Sequence, residues 1–136
     1  MDVEAAREFI SRQHHAVLAT LRSDGAPQLS PVDAVVDADG RVVISSRETA
    51  MKVRNLRRDP RAWLCVLSDA FYGDWVQVEG PVEVVALPEA MELLVDYYRR
   101  AAGEHPDWAD YRAAMERDQR VVIRLEISRA GPTVSG

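Results

Sequence analysis

The cations between Arg47 and Arg61 are the first residues whose types and spacing suggest chemistry. Arg47, Lys52, Arg54, Arg57, Arg58 and Arg61 face only two acids there, Glu48 and Asp59, in a chain whose net charge is −5. Lys52 is the only lysine among 17 basic residues, so the arginine bias of the composition did not choose it. A compact ammonium suits a single phosphate oxygen, whereas a guanidinium suits a bidentate fork. Ser45, Ser46 and Arg47 lie just ahead of it, after the apolar run Val42-Val43-Ile44. A strand, a hydroxyl-bearing loop and a helix start in that order make an anion site, because the free N–H groups of a first helical turn point at the anion and the helix dipole adds to their pull. A solvated basic face on a surface helix explains the same residues, and this stretch alone does not separate the two readings.

Other chemistry-bearing residues are less organised. His14 and His15 are adjacent, and adjacent strand residues face opposite sides, so they make a poor metal pair. His105, beside Pro106, reads as a loop residue that caps or packs. Asp33 could donate or accept a proton, but an exposed loop or strand-edge aspartate is the better account. Cys65 is the only cysteine and sits in Trp63-Leu64-Cys65-Val66-Leu67, where it reads as a small hydrophobe. Trp63, Trp75 and Trp108 are mostly core candidates. No triad or paired carboxylate stands out.

The elements that must hold these residues follow from periodicity. Asp2 to Gln13 reads as a helix with Val3, Ala6, Phe9 and Ile10 on one stripe. Strands are expected at His15–Leu21, Gln28–Val36 and Arg41–Ser45, joined by turns at Ser23-Asp24-Gly25 and Asp37-Ala38-Asp39-Gly40, so these three should pair as an antiparallel meander. A short helix follows, with Thr49 as N-cap, Ala50, Val53 and Leu56 facing a core, and Pro60 as its limit. Further strands are expected at Ala62–Leu67 and Trp75–Val85, the latter bent at Gly80-Pro81. Pro88 fits the first position of a helix that buries Met91, Leu94, Val95 and Tyr98 and closes at Gly103. Asp107 caps another helix carrying Trp108, Tyr111 and Met115. The last strand, Val121–Ile127, points Val121, Ile123, Leu125 and Ile127 inward, with Val122 an apolar exception on the other face. The tail after Ser128 is expected to fray.

Six strands with helices after the third and fifth predict a mainly β fold, a six-stranded antiparallel split β-barrel with peripheral helices, as a single domain over residues 1–136. An apolar content of 47% with 29% charged residues is ordinary for a globular chain. The acidic balance argues against a nucleic-acid binder. No run reaches membrane-spanning length and no signal peptide is evident, so a cytoplasmic location is expected.

Four stretches carry a family resemblance. They are Val17-Leu18-Ala19-Thr20 with Asp24-Gly25-Ala26-Pro27-Gln28-Leu29-Ser30; Lys52-Val53-Arg54-Asn55-Leu56-Arg57-Arg58-Asp59-Pro60; Val78-Glu79-Gly80; and Gly103-Glu104-His105-Pro106-Asp107-Trp108-Ala109-Asp110-Tyr111-Arg112. Over nearly the whole chain the pattern resembles the pyridoxamine-phosphate-oxidase-like split-barrel flavoproteins, and most closely their actinobacterial branch that uses the deazaflavin coenzyme F420. The resemblance implies a homodimer with cofactor sites at the subunit interface. It implies that Gln28, Ser30, Pro31 and Val32 run along the ring system, that Ser45, Ser46, Arg47 and Thr49 meet the ribityl and phosphate groups, and that Lys52 and Asn55 hold the phosphate. Asp74 and Trp75 would approach from the partner chain. FMN-binding relatives often place an arginine in the second strand. Here Ser30-Pro31-Val32-Asp33-Ala34 has no cation, which favours the deazaflavin over FMN. The implied activity is hydride transfer between F420 and an electron-poor small molecule. The alternatives are an FMN-dependent oxidoreductase and a non-catalytic flavin- or haem-binding protein. The substrate would meet the loop Ser68 to Asp74, the C-terminal tail and the partner chain.

Overall fold

The architecture is given by a computed structural model that describes residues 1–132. Local turn chemistry sets the first pairing. The Asp24 carboxylate accepts from the Ala26 N–H at 2.9 Å, and Gly25 takes φ +85, a conformation costly for residues with a Cβ. This turn joins β1 (His15–Leu21) to β2 (Pro27–Asp33), in register from His15 opposite Asp33 to Leu21 opposite Pro27. A second Asx turn, in which Asp37 accepts from the N–H groups of Asp39 and Arg41, joins β3 (Val35–Val36) to β4 (Val42–Arg47).

The expected meander breaks at one residue. Gln28–Val36 is not a single strand. It divides at Ala34 into β2, which pairs with β1, and β3, which pairs with β4. The cause is visible in the burial pattern. β2 alternates, but Ala34 and Val35 are buried in succession, each in a different core cluster. Ala34 is fastened there by its N–H to the His14 carbonyl and by its carbonyl to His14 Nδ1, both at 2.8 Å. His14 is thus a backbone clamp at the junction.

The remaining strands are β5 (Arg61–Leu67), β6 (Trp75–Val85), β7 (Arg120–Leu125) and β8 (Arg129–Gly131). Seven strands follow the antiparallel order β2-β1-β5-β6-β7-β4-β3, and β8 pairs with β6. This exceeds the six expected, because one predicted strand divides and Arg129–Gly131 is a strand where fraying was expected. Residues 133–136 of that tail lie outside the described residues. β2 and β3 end the path on opposite edges yet are consecutive in the chain. The sheet therefore curls until its edges meet, giving the split barrel.

β6 makes the curl possible. It pairs with β5 as far as Pro81 and with β7 from Val82 onward. A Cβ at Gly80 would lie 1.8 Å from the Glu126 carbonyl oxygen, so only glycine admits the crossing chain.

Among the described residues four helices close the structure: α1 (Val3–Arg12), α2 (Met51–Arg58), α3 (Ala90–Ala102) and α4 (Trp108–Arg117). Inside the barrel, Ile10 of α1 and Val53 and Leu56 of α2 pack with Leu18, Ile44, Leu64, Val78 and Ile123. Each such side chain contributes about 1.5–3 kcal/mol by leaving water. On the outer face of β4 and β7, Val43 and Val122 meet Leu94, Val95 and Tyr111 of α3 and α4. Buried on both faces, these strands read as continuous apolar runs, which explains Val122. Asp107 caps α4 through the Asp110 N–H, as expected. The helix start at Pro88 is displaced, since α3 begins at Ala90 after a turn. Thr49 is not the cap of α2. A turn from Arg47 to Ala50 leaves Thr49 exposed, and the cap position falls to Ala50, which has no side-chain acceptor to offer. No helix among the described residues is long and apolar enough to cross a membrane.

Candidate functional site

Where the sheet edges meet, a cleft of about 650 Å³ opens. Pro31, Val32 and Asp33 of β2 form one wall, Ser45 of β4 and Arg120 of β7 another, and His15 and Ala16 of β1 close the end. Tyr97 and Tyr98 of α3 with Tyr111 and Met115 of α4 cover it. The sequence motif Gly103 to Arg112 fixes this cover. The His105 ring lies 4.9 Å from Tyr98 and 5.4 Å from Tyr111, Trp108 donates its indole N–H to Glu104 at 3.0 Å, and the Arg99 guanidinium stands 4.8 Å from the Trp108 ring centre. His105 Nδ1 also accepts from the Asp107 N–H at 2.9 Å. His105 thus both packs and caps.

Two phenols in the cover are held neutral. Tyr97 donates to the Asp33 carbonyl at 2.9 Å, and burial, helped by the Asp33 charge, pushes its pKa up to about 12. Tyr111 donates to the Leu94 carbonyl at 2.8 Å, and burial pushes its pKa up to about 12 as well. Near neutral pH both are hydrogen-bond donors with apolar faces. His15 and Asp33 face one another across the β1–β2 pair, Nε2 to Oδ1 at 3.9 Å.

The cations gather beside this cleft. Arg47 and Arg120 are directly opposite in the β4–β7 pair, so their side chains leave the sheet on the face that carries Ser45. Lys52, half-buried in the first turn of α2, has its pKa lowered by burial and then by the Arg120 charge. Among the described residues none of the three has a carboxylate within ion-pair distance, and the nearby Glu48 is gripped by Arg57 at 3.0 and 2.8 Å. The Nε of Arg120 and the hydroxyl of Ser30 are both sealed from solvent with no hydrogen-bond partner. Buried polar groups left this way are uncommon and mark a place where a partner belongs. Together with the uncapped start of α2, they fit an elongated ligand with a polar edge along β2 and an anionic end at Lys52.

The residues expected at the site are not all brought together. Pro31, Val32 and Ser45 line the cleft, and Gln28 and Ser30 share the inward face of Val32 on β2. Arg47 and Thr49 are exposed and do not line it. Two expectations change. Ser46 points to the opposite side of β4 from Ser45 and is buried, because adjacent strand residues alternate. Asn55 is also turned inward. Its Nδ2 donates to Thr20 Oγ1 at 3.0 Å and its Oδ1 accepts from Arg58 at 3.1 Å, so it braces α2 against β1. Asp74 and Trp75 line a different cleft, beside Ala5 and Phe9 of α1. Sequence reasoning missed Arg120, Tyr97 and His15 as cleft residues. The signal for Arg120 was its place opposite Arg47, which only the strand pairing reveals.

A neighbouring surface bears on the site. The outward residues of β2, β1, β5 and β6 are Leu29 and Pro31, Val17 and Ala19, Trp63 and Cys65, then Trp75 and Gln77, aligned by register. The buried residues of the helices belong to the barrel interior or to the face of β4 and β7, so among the described residues no helix covers this sheet face. Leu29 is 64% exposed there. Pro31, Asp33 and His15 join the cleft to this face.

Comparison with known proteins agrees with this fold. A conserved hypothetical protein, Rv2991, from Mycobacterium tuberculosis is 27% identical, with a TM-score of 0.77 over 100% of this chain and 93% of its own. An F420 reductase superposes with a TM-score of 0.70 at 23% identity, over 92% of this chain and 94% of its own. The haem storage protein HutZ from Vibrio cholerae gives 0.68 at 17% identity, over 96% and 94%. The last two likenesses establish the fold alone. The profile of the pyridoxamine 5'-phosphate oxidase family matches residues 3–133, and the chain belongs to that family.

Proposed function

We propose that this protein is an F420-dependent oxidoreductase, passing hydride between the deazaflavin and an electron-poor organic molecule such as a quinone or an enone. One observation carries the reading. The cleft has a cation-free wall, Pro31 to Asp33, with Arg120 beside it, and Lys52, which feels the Arg120 charge, has no carboxylate within ion-pair distance among the described residues. The bound deazaflavin would supply the hydride chemistry, and the protein supplies position and electrostatics. The β2 backbone at Pro31 and Val32 sets the height of the ring, and Ser30 and Gln28 offer it polar contacts. Lys52 and the first turn of α2 fix the phosphate. Tyr97, Tyr111 and Met115 exclude water from the far side. The relative described as an F420 reductase supports the choice of cofactor. FMN-dependent chemistry on the same fold is the second reading, favoured by the convergence of several cations on one point.

The acting unit in this proposal is a homodimer. The uncovered apolar sheet face supports it, because a large exposed apolar patch commonly marks a surface on which another chain docks. A second copy there would bring its own residues to the mouth of the cleft, Asp74 and Trp75 among them.

Fluorescence titration with F420 and, in parallel, with FMN tests the reading. Micromolar F420 binding with weak FMN binding supports it, and preference for FMN transfers the function to the second reading. Binding of neither refutes both. Turnover with a generic electron acceptor then separates an enzyme from a carrier.

A further inference from the structure

We infer that His15, paired with Asp33 across the β1–β2 strands, is the proton donor of the cleft: it gives a proton to the carbonyl oxygen of an electron-poor substrate as that substrate accepts hydride, and takes the proton back in the reverse direction. The inference rests on the oxidoreductase reading of the cleft. It adds the residue that supplies the second hydrogen, with Asp33 as the positioning residue behind it.

The two neighbouring histidines divide their duties. His14 is committed to the backbone clamp at Ala34, through its carbonyl and its Nδ1, both at 2.8 Å. Successive residues at the start of a strand face opposite sides, so His15 is left to line the cleft. The bond from the Ala34 N–H to the His14 carbonyl lies one residue beyond the His15–Asp33 pair. That makes it a non-hydrogen-bonded pair, the kind in which facing side chains stand closest. Asp33 Oδ1 is 3.9 Å from His15 Nε2, and neither side chain has another ion-pair partner among the described residues. The Asp33 backbone is also held, by the Tyr97 hydroxyl on its carbonyl at 2.9 Å. With side chains 75% and 60% exposed, the pair is worth little as a fastening, yet it is open to proton exchange with water.

The other groups facing His15 do not suit the task. Tyr97 and Tyr111 keep their protons up to about 12, and Tyr98 is packed among the rings of His105, Trp108 and Tyr111. Arg120 is a permanent cation. On the other side of β1, β5 sets Val66 beside Ala16, and α2 meets the far end of β1 through Arg58 and the Leu21 carbonyl. Imidazole is the side-chain type in the cleft that gains and loses a proton between about pH 5 and 8. Hydride addition to an enone or a quinone moves an electron pair onto the carbonyl oxygen. The N–H bond of the His15 imidazolium breaks, the proton bonds to that oxygen, and the pair left behind stays on the ring nitrogen as neutral imidazole. Hydride and proton are the two hydrogens of the reduced product, and water returns a proton to His15. Asp33 orients the ring, as a carboxylate behind a catalytic imidazole does.

Two measurements test this, the first without any cofactor. The probe para-nitrophenol is coloured only as its anion, so its absorbance reports whether a cationic donor stands beside the bound oxygen. At mildly acidic pH, cofactor-free wild-type protein should deepen the colour saturably, and His15→Gln should lose most of that gain. No gain with wild type, or an equal gain with His15→Gln, overturns the inference. The second measurement uses F420-loaded protein with cyclohexenone as acceptor. His15→Gln should lower kcat about tenfold or more and flatten its pH dependence, while KM and F420 affinity hold. Asp33→Asn should lower kcat less and keep the pH dependence, as befits a residue that only positions the ring. A wild-type kcat in His15→Gln, or a loss confined to KM or to F420 affinity, overturns the inference. Should wild-type protein bind no F420, the cofactor reading fails on its own, and the nitrophenol titration still decides whether His15 serves an oxyanion in this cleft.

Discussion

Replacing Asn55 with alanine separates a residue that touches a ligand from one that holds the wall behind it. Asn55 is 1% exposed, as is its partner Thr20. The substitution removes the 3.0 Å bond to Thr20 Oγ1 and an acceptor of Arg58, which keeps its 2.8 Å bond to the Leu21 carbonyl. The neutral bond is worth about 0.5–1.5 kcal/mol, and a buried hydroxyl that loses its donor adds about 1 kcal/mol more. Thr20 retains only a 3.3 Å contact with Gln28, so little is recovered. The expected loss is about 2 kcal/mol, read as a lower urea midpoint with unchanged slope. Thr20→Val removes the other end of the bond. The double variant should then be less destabilised than the sum of the singles, by about 1 kcal/mol. Phosphate affinity should fall modestly, because α2 loses its brace while Lys52 remains. Stability within about 0.5 kcal/mol of wild type, together with a tenfold loss of phosphate binding, would refute the bracing role and return Asn55 to the ligand.

Lys52→Ala should weaken cofactor binding several-fold or more in the fluorescence titration while the thermal midpoint stays put, and unchanged affinity would remove Lys52 from the site. Gly80→Ala forces a methyl group to 1.8 Å from the Glu126 oxygen and 2.9 Å from its carbon, both backbone atoms. It should cost about 3 kcal/mol or more in urea unfolding, and a loss below about 1 kcal/mol would show that the crossing yields easily. In alkali, Tyr97 and Tyr111 keep their protons more tightly when folded, with pKa values raised from 10.0 to about 12. Their contribution to stability is therefore complete below about pH 10 and is lost as pH climbs toward 12, which tyrosinate absorbance followed alongside unfolding would reveal. Leu29→Glu, at 64% exposure on the bare sheet face, should leave the fold intact and shift sedimentation toward the monomer.

Local signals were the legible ones. The turn at Gly25, the Asp107 cap, the helix end at Gly103 and the bend at Gly80-Pro81 each rest on the chemistry of a few neighbouring residues, and each is present. The run of cations was visible for the same reason, because an unusual lysine among arginines needs no knowledge of the fold. What failed was non-local. Gln28–Val36 reads as one strand, since nothing local marks Ala34 as the residue that joins two sheet edges. Arg120 reads as an ordinary strand flank until the β4–β7 register sets it against Arg47. Asn55 reads as a polar residue on a basic helix until the turn of α2 carries it under Thr20. Thr49 failed differently, because a turn moved the helix start by one residue and left a sound cap in the wrong place.

The division at Ala34 also has a mechanical side. The wall of the cleft and the strand that closes the barrel's far edge belong to one short piece of chain, pinned by two bonds to His14. The seam of the barrel is thus tied shut at Ala34, one residue from Asp33 and one from Val35. Widening the groove by sliding the edges apart would require lengthening that tether, and one inserted residue would invert every side chain of β3. The cover has no such restriction. α3 and α4 lie on the sheet through side-chain packing and the Tyr97 and Arg100 bonds to backbone carbonyls, and they can be recut residue by residue. A designer seeking a new substrate should leave the seam alone and work on the lid.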